Sequence, residues 1–594
     1  MEVFNVIFNP NKTNITYLQM RNLLIISLLI AFNSCTDFSK NKEFKYAGGT
    51  FNFAISHAPS SFITRNTTDL YSSTLLNQVY EGLVELDPKT METKAGLAKE
   101  WTISPDGKTI TFILRDNVYF HEHPSIKEEN KFTPEDVIYS IELACKSSNN
   151  EASSAYYTIY KGLLEGADEY FNQEADHISG LSMRGNTVQM QLLDRDVNFV
   201  NKLTQTAALI VSKKANEAGL EEELIGTGPF QFKENRKRNN REEIVLVRNK
   251  SYYGKDDYGH RLPYLDTLIL KVESQRVQQL EMFERGETHL IEGLPPSKVS
   301  IMLGKGKIDD FNSTPPKFIL IRKPLIATQY YYFNLLKPEF QDIRVRKAFN
   351  YAIDREAIVS KILNYQAHSI GDGGIIPPAA FSGYDSEKAK SHGYTFQPEK
   401  AKRLFAQAGY PNGKDFPIIH IKFNVGTLHS DVAKEIANQL KETLNIEVIL
   451  DGVSFEEKIH DQIYANGDLF RSSWFAEYNS PESFLMTAYG RTVPKDSSLP
   501  SMTNHSRYQN EAFDALFEMA KSTPEIVERY KSFVEAESIL MEDAPYIILW
   551  YEETIKIVYS KVRNLSLNEM NSYSFKNVYL KEWSKKEWET KEKR

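Results

Sequence analysis

The sequence predicts an α/β protein built from two or three domains. Three observations carry that expectation. At 594 residues the chain is longer than one hydrophobic core normally supports. Its 41% hydrophobic and 25% charged residues are ordinary for a folded globular chain. From about residue 320 to residue 555, amphipathic helical runs alternate with short apolar strands, the pattern of helices laid on a sheet. The formal net charge of −8 argues against a nucleic-acid partner, because a surface that neutralises phosphates needs an excess of Lys and Arg. The 32 tyrosines and 34 phenylalanines suit aromatic ligand walls, and they suit β-rich cores equally well.

Taken in order, residues 1–19 carry no coherent pattern. Met20 then opens MRNLLIISLLIAFNSC, in which Arg21 precedes an apolar run over residues 23–32 and small residues precede Cys35. This is the layout of a secretory signal peptide, its apolar part too short to span a bilayer, and Met20 is the expected start. The segment Phe32-Asn33-Ser34-Cys35 resembles a bacterial lipoprotein box, which implies cleavage before Cys35 and lipid on its thiol. Polar residues 36–45 then form a flexible tether.

Residues 50–56 alternate as a strand, 58–69 form a polar loop, and 70–80 a helical run. Residues 80–124 hold a strand, a loop, a short helix at about 95–100, and a hairpin turning at Ser104-Pro105-Asp106-Gly107. Thr133-Pro134-Glu135-Asp136 caps a helix that runs to about Ala144. Cys145 beside it reads as a small buried hydrophobe, and two cysteines imply no disulfide framework. Residues 342–358 are amphipathic, with Asp354 capping a second helix; 398–408 form another, stopped by Gly409 before Pro411. A helix over 429–444 leads to a strand at 446–450. Residues 552–580 mix short strands and turns, and a charged, Trp-bearing surface helix closes the chain from residue 581.

The organising stretch is residues 468–485, DLFRSSWFAEYNSPESFL. Its apolar run (Leu469, Phe470, Trp474, Phe475) breaks into Glu477-Tyr478-Asn479, and Ser480-Pro481 starts a helix. Arg471, Trp474 and Glu477 are thereby placed near a strand end that faces a helix N-terminus, where α/β proteins tend to hold ligands. Competing motifs are thin. His121 and His123 share a strand face, but two histidines alone make a poor metal site. Residues 409–414 (GYPNGK) are one residue short of a phosphate loop, and no Ser or Thr follows Lys414. Residues 236–241 (RKRNNR) form a short basic loop between strands. There is no HExxH or GxSxG, and nothing in the sequence argues for an enzyme, a cofactor or a metal.

Several blocks follow one another in a telling order: YEGLV (80–84), GLAKEW (96–101), SPDGKTITFILRDNVYFH (104–121) and KFTPEDVIYSI (131–141). GTGPF (226–230), RNKSYY (248–253), LPYLD (262–266), RGE (285–287), YYYFNLLKPEFQDIRVRKAFNYAIDREAIV (330–359) and PEKAKRLFAQAGYPNG (398–413) continue it. Together they resemble the solute-binding proteins of oligopeptide and dipeptide ABC transporters, extracellular solute-binding protein family 5, over residues 46–585. His121 falls at that family's own Phe-His position.

The resemblance implies a two-lobed periplasmic-binding-protein fold of type II, with three domains and a ligand cleft between lobes. Residues 46–88, 208–318 and 553–594 would form lobe I, 89–207 an inserted subdomain and 319–552 lobe II, after the upstream and signal residues 1–34 and the tether 35–45. It further implies a monomeric, lipid-anchored protein that captures extended peptides by hinge closure and hands them to a membrane permease. Relatives that take nickel complexes, haem, oligosaccharides or cell-wall peptides keep a second ligand class open; a secreted peptide hydrolase is the remote alternative. The organising stretch resembles the family's ligand segment. Glu477 stands where the family usually has an Asp paired with the peptide α-ammonium. Trp474 matches a ligand wall, Ser473 and Phe475 flank it, and Arg471 matches an Arg near the first ligand side chains. That Arg could equally anchor the loop through Glu477 or Asp468. Tyr156 and Tyr551 match ligand-facing tyrosines, and Thr68-Asp69 falls where an acid often pairs with the ligand backbone.

Overall fold

In a computed structural model of the chain, residues 44–592 are described, apart from 68, 148–152, 296–297, 299–304 and 379. The signal peptide, the Cys35 lipid site and Thr68 lie outside the described residues.

Three sheets carry the fold. In the first, Thr50–Ile55 runs parallel to Thr267–Val272, which pairs antiparallel with Arg241–Arg248, and that strand with Phe230–Arg238. The alternation in TFNFAI sends Phe51, Phe53 and Ile55 into a core shared with Leu75, Leu76 and Val79 of the helix Leu70–Val79. That helix starts at residue 70 because Asp69 Oδ1 accepts the Tyr71 and Ser72 N–H groups, each at 2.9 Å.

The second sheet is antiparallel, in the order Ala98–Ile103, Thr109–Leu114, Thr187–Gln191, Leu181–Arg184. Here the expected helix at 95–100 gives way to the strands Thr93–Ala95 and Ala98–Ile103. A β-carbon on Gly96 would stand 2.6 Å from the Gly82 carbonyl oxygen, so the chain passes extended against that backbone. The turn ending at Gly107, with φ of 74°, then folds residues 109–114 back onto 98–103. Strand pairing outweighs the local helix preference. The helix Pro134–Cys145 opens with a capping box between Thr133 and Asp136 and covers this sheet. Cys145 is fully buried in that core, and burial pushes its thiol up. His121 is buried and neutral: its Nδ1 accepts the Gly226 N–H at 3.3 Å and its Nε2 donates to the Gly228 carbonyl at 3.0 Å. Burial lowers its pKa to about 4, and its role is to hold the loop Gly226–Gly228.

The third sheet has the order Leu290–Glu292, Tyr546–Tyr559, Phe318–Phe333, Leu469–Phe475, Ile419–Asn424, Val448–Val453, with Ser369–Ile370 also on Tyr546–Tyr559. Its two long strands, Phe318–Phe333 and Tyr546–Tyr559, serve two cores. Val558 packs with the first sheet, whereas Ile547, Leu549 and Trp550 pack with the helices that follow residue 340. Their register breaks between Pro324 and Thr328, where proline removes a ladder donor. This gives the two lobes and the strands that join them.

Local signals set the helices of the second lobe. Asp342 caps Ile343–Ala352 and Asp354 caps Arg355–Ala357, each through its side chain. Pro398–Gln407 ends before Gly409, whose φ is 103°. Among the described residues, no helix is long and apolar enough to cross a membrane.

Candidate functional site

The strand Leu469–Phe475 lies inside the large sheet, yet its two flanks differ. Parallel pairing to Ile419–Asn424 covers Leu469 and Phe470, while pairing to Phe318–Phe333 continues from Leu469 to Phe475. Residues 471–475 therefore run past their parallel neighbour, at the carboxyl end of the strand, into a cavity of about 700 Å³. Arg471, Ser473, Trp474, Phe475 and Glu477 all line it. The opposite wall comes from the first lobe and includes Asp69, Tyr71 and Arg276.

Glu477 is half-buried as a residue, but its Oε2 is shielded from water and has no hydrogen-bond partner. Burial alone raises its pKa to about 7. The indole Nε1 of Trp474 is likewise buried and unpaired. The backbone around them is held firmly. Ala476 N–H donates to the Ile326 carbonyl at 2.9 Å, and Glu477 N–H to Ser483 Oγ at 2.9 Å. The helix that follows is Glu482–Leu485, one residue later than its Ser-Pro start suggests, and Ser480 Oγ accepts the Glu482 N–H at 3.3 Å.

The loop after Glu477 is clamped by the 89–207 segment. Asn479 Nδ2 donates to the Met91 carbonyl at 3.0 Å, and Asn198 Nδ2 donates to Ser480 Oγ at 3.0 Å and Glu482 Oε2 at 2.6 Å. Lys202 Nζ sits 2.6 Å from both Asp196 Oδ2 and Glu482 Oε1.

Arg471 does not anchor the loop. It is 9% exposed, and its guanidinium donates to Gln329 Oε1 at 2.6 Å and Asn424 Oδ1 at 3.4 Å, both neutral acceptors. Asp468 is engaged elsewhere, by Lys337 Nζ at 2.7 Å and the His420 N–H at 2.9 Å. The alternative that Arg471 pairs with Glu477 or Asp468 is not realised, because Gln329 and Asn424 take its guanidinium.

Neither Tyr156 nor Tyr551 is among the residues that line the cavity. Tyr156 is 1% exposed, stacks on Phe171 and donates its hydroxyl to Asp168 Oδ1 at 2.8 Å. Its neighbours Ser154 and Thr158 reach the cavity instead. Tyr551 is fully buried and donates its hydroxyl to the Gly374 carbonyl at 2.7 Å. Both are core residues whose polar ends are already satisfied. Tyr551→Phe is expected to cost about 1 kcal/mol in urea denaturation, one buried hydrogen bond, and to leave ligand affinity unchanged. Asp69 lines the cavity, but its oxygens are taken up by capping and by the Ser60 and Ser72 hydroxyls.

The sequence reading missed Lys458, His429, Trp550 and Glu552, which also line the cavity. One signal was available for Lys458. It stands between Phe455 and Gln462 on the inward stripe of the helix Phe455–Ile463, where a lysine has no ordinary reason to be.

Residues 92–496 match the bacterial extracellular solute-binding proteins, family 5 Middle. The chain is 25% identical over 535 residues to the dipeptide-binding protein of Escherichia coli K12, covering 88% of this chain and 92% of that protein. It is 27% identical over 523 residues to heme-binding protein A of Haemophilus influenzae, covering 84% and 87%. Among solved structures, the periplasmic binding protein DppA of Helicobacter pylori, in complex with the peptide STSA, matches with a TM-score of 0.76 at 24% identity, over 91% of this chain and 99% of that one. With most of its length matched and a cleft between two α/β lobes, this chain belongs to the bacterial extracellular solute-binding proteins of family 5.

Proposed function

We propose that this protein is the substrate-binding component of an ABC importer and that it captures peptides with a free amino terminus. The observation that carries this reading is Glu477 Oε2, shielded from water and without a hydrogen-bond partner, in a cavity also lined by Trp474, whose indole N–H is unpaired. A carboxylate shielded from water without a cation is unfavourable, and an arriving ammonium group relieves that cost through a charge-assisted hydrogen bond. The glutamate is one methylene longer than the family's aspartate, and it still reaches the cavity that an ammonium would enter. Residues 471–475, free of their parallel neighbour, offer backbone to an extended peptide, so affinity would come largely from the main chain. The names of relatives agree: one is a dipeptide-binding protein, and one neighbour holds the peptide STSA.

In this reading the lobes (46–88, 208–318 and 553–594 against 319–552, with 89–207 inserted) close about the long strands near the register break at Pro324–Thr328. Closure is driven by the ligand's higher affinity for the closed form. Lipid on Cys35 keeps the monomer at the membrane, beside the permease that receives the ligand, and no covalent chemistry is involved. Calorimetry with Ala-Ala-Ala and its N-acetylated form tests the clamp. Acetylation is expected to weaken binding on the order of ten- to a hundredfold. Equal affinities would remove the assignment of Glu477, and native mass spectrometry of protein from its own host would then identify the resident ligand.

A further inference from the structure

The described chain begins at Phe44, and the surface around that point is built from aromatic rings and cations. Phe44 stacks on Tyr264, with ring centroids 4.3 Å apart, and meets the edges of Tyr579 at 4.8 Å and His260 at 5.4 Å. On one side the contact continues to Tyr258, whose ring lies 6.2 Å from that of His260. On the other it passes through Tyr46, stacked on Tyr579 at 5.9 Å with Lys581 Nζ 4.4 Å from its centroid. Lys581 leads into the last helix, Lys585–Glu592. Ser584 and Glu587 open that helix with a reciprocal cap: Glu587 N–H donates to Ser584 Oγ at 3.3 Å, and Ser584 N–H to Glu587 Oε2 at 3.1 Å. The Arg563 guanidinium covers the Trp583 ring at 3.1 Å, Trp583 meets Trp588 at 5.1 Å, and Lys591 Nζ lies 4.7 Å from the Trp588 centroid. The start of the described chain and its last helix therefore share one face.

On this face the exposed charges are mostly positive. Lys45, Arg261, Lys585, Lys586 and Lys591 are exposed, and none of them makes an ion pair among the described residues. Several of the nearby acids are already engaged. Asp256 accepts His260 Nδ1 at 2.8 Å, Asp266 faces Arg248 Nη2 at 3.4 Å, and Glu587 faces Lys581 Nζ at 2.5 Å. Asp257, Glu582 and Glu589 are left exposed to water. Tyr258 is 83% exposed, the most exposed of the large apolar and aromatic side chains among the described residues. An aromatic ring with a polar tip beside unpaired lysines is the composition that sits at the headgroup level of a bilayer.

We propose that this face rests on a phospholipid surface carrying anionic headgroups, with Tyr258 and the lysines of the last helix as its contacts. The proposal takes its nearness to a bilayer from the lipid on Cys35 proposed above, and adds which face is turned toward it. The nine residues 36–44, even fully extended, span no more than about 30 Å, so Phe44 and its surroundings are the part of the fold held closest to the lipid. Orientation follows from the first sheet. Its strand Thr50–Ile55 starts beside this face, where Leu580 lies against Gly49, and ends just before His57, which lines the cavity. The face is thus at the end of the first lobe away from the ligand, and a protein resting on it presents the cavity to arriving solute. A few lysines give a contact weak enough to be left again, so the tethered protein stays free to turn toward the permease.

The test uses the mature chain with Cys35→Ser, so that no lipid holds it, in cosedimentation with large vesicles of phosphatidylcholine with and without phosphatidylglycerol. A chain of formal net charge −8 is repelled by anionic vesicles unless one face is locally basic. Binding is expected only with phosphatidylglycerol, and it is expected to fade at high salt. Lys585→Gln with Lys586→Gln should weaken it about fivefold per lysine, on the order of twentyfold together, without lowering the melting temperature. Tyr258→Ser should lower the bound fraction while leaving the salt dependence as it was. The control is Lys237→Gln with Arg238→Gln, in the basic loop at the other end of the first sheet, and it should change binding less than about twofold. Equal binding to both vesicle types, no binding to either, or equal losses from the two lysine-face and control pairs would overturn the proposal. Intact mass of protein from its own host reads the Cys35 lipid separately. Protein without the lipid that still binds phosphatidylglycerol keeps this face and loses the anchor; lipidated protein whose Cys35→Ser form ignores phosphatidylglycerol keeps the anchor and loses this face.

Discussion

Glu477→Gln is expected to weaken binding of peptides with a free amino terminus on the order of ten- to a hundredfold at neutral pH, and to abolish the pH dependence of that binding below pH 7. In the unliganded protein, burial holds the Glu477 pKa at about 7 against an ordinary 4.5. Below that folded value the carboxyl is protonated, so an ammonium ligand must first expel a proton. Affinity of the unaltered protein therefore falls as the pH drops from 7 toward 5. At the upper end it is limited by loss of the peptide's own proton, near pH 8. Calorimetry at pH 5, 6 and 7 reads both effects, and a flat profile in the unaltered protein would sink the idea.

The same substitution has a stability signature of defined sign. A carboxyl whose pKa is higher folded than unfolded favours the folded state below the unfolded value and loses that advantage as pH rises through the folded one. The stability of the unaltered protein relative to Glu477→Gln should thus decline between about pH 4.5 and pH 7, by at most about 3 kcal/mol. Urea denaturation of the pair at pH 4.5 and pH 8 measures the difference. Peptide binding at pH 8 should restore the loss, because the ammonium supplies the missing counter-charge.

Lys202→Met is expected to cost about 3–5 kcal/mol of stability at pH 7, more than any single substitution in the cavity wall. The Lys202, Asp196 and Glu482 side chains are 5%, 0% and 2% exposed. Removing the ammonium leaves two carboxylates buried together, with Lys521 Nζ, 3.7 Å from Asp196 Oδ2, as the remaining cation. The network holds Asp196 below its ordinary pKa and Lys202 above its own. Asp196 contributes its stability above the ordinary Asp range and loses it as pH falls. Lys202 contributes below the ordinary Lys value and loses it as pH rises. Both contributions are therefore fully present at pH 7. Because Glu482 opens the helix after Glu477, peptide affinity should drop along with stability. Urea denaturation decides the matter: a loss below about 1 kcal/mol would mean the buried pairs are not what holds this loop. Restoring part of the loss with Lys202→Met plus Glu482→Gln would attribute it to the uncompensated charge.

Much of the secondary structure was legible because its causes are local. Asp69, Asp342 and Asp354 cap the helices they precede, Gly409 follows the end of its helix, and Gly107 completes its turn. The 95–100 segment was misread for a reason the local sequence does not contain: Gly96 lies against the Gly82 backbone, which comes from another turn of the chain. In the cavity, the strand end with Arg471, Trp474 and Glu477 could be located from its pattern and its resemblance to a family segment. Tyr156 and Tyr551 could not be sorted in the same way. A tyrosine reads alike whether its hydroxyl meets a ligand or, as here, Asp168 and Gly374.

By itself, then, the sequence determined the α/β class, most helix and strand positions, and the stretch 468–485 as the one to watch. Those follow from periodicity, caps and turns, whose energies arise within a few residues of chain. Only the tertiary structure decided which charges are compensated. The sequence marks Glu477 by its place in that stretch, but only the fold leaves its Oε2 shielded from water without a hydrogen-bond partner. Arg471 gains a relayed counter-charge through Gln329 from a strand 142 residues away. Desolvation and charge pairing depend on three-dimensional proximity, and that is what the order of residues does not state.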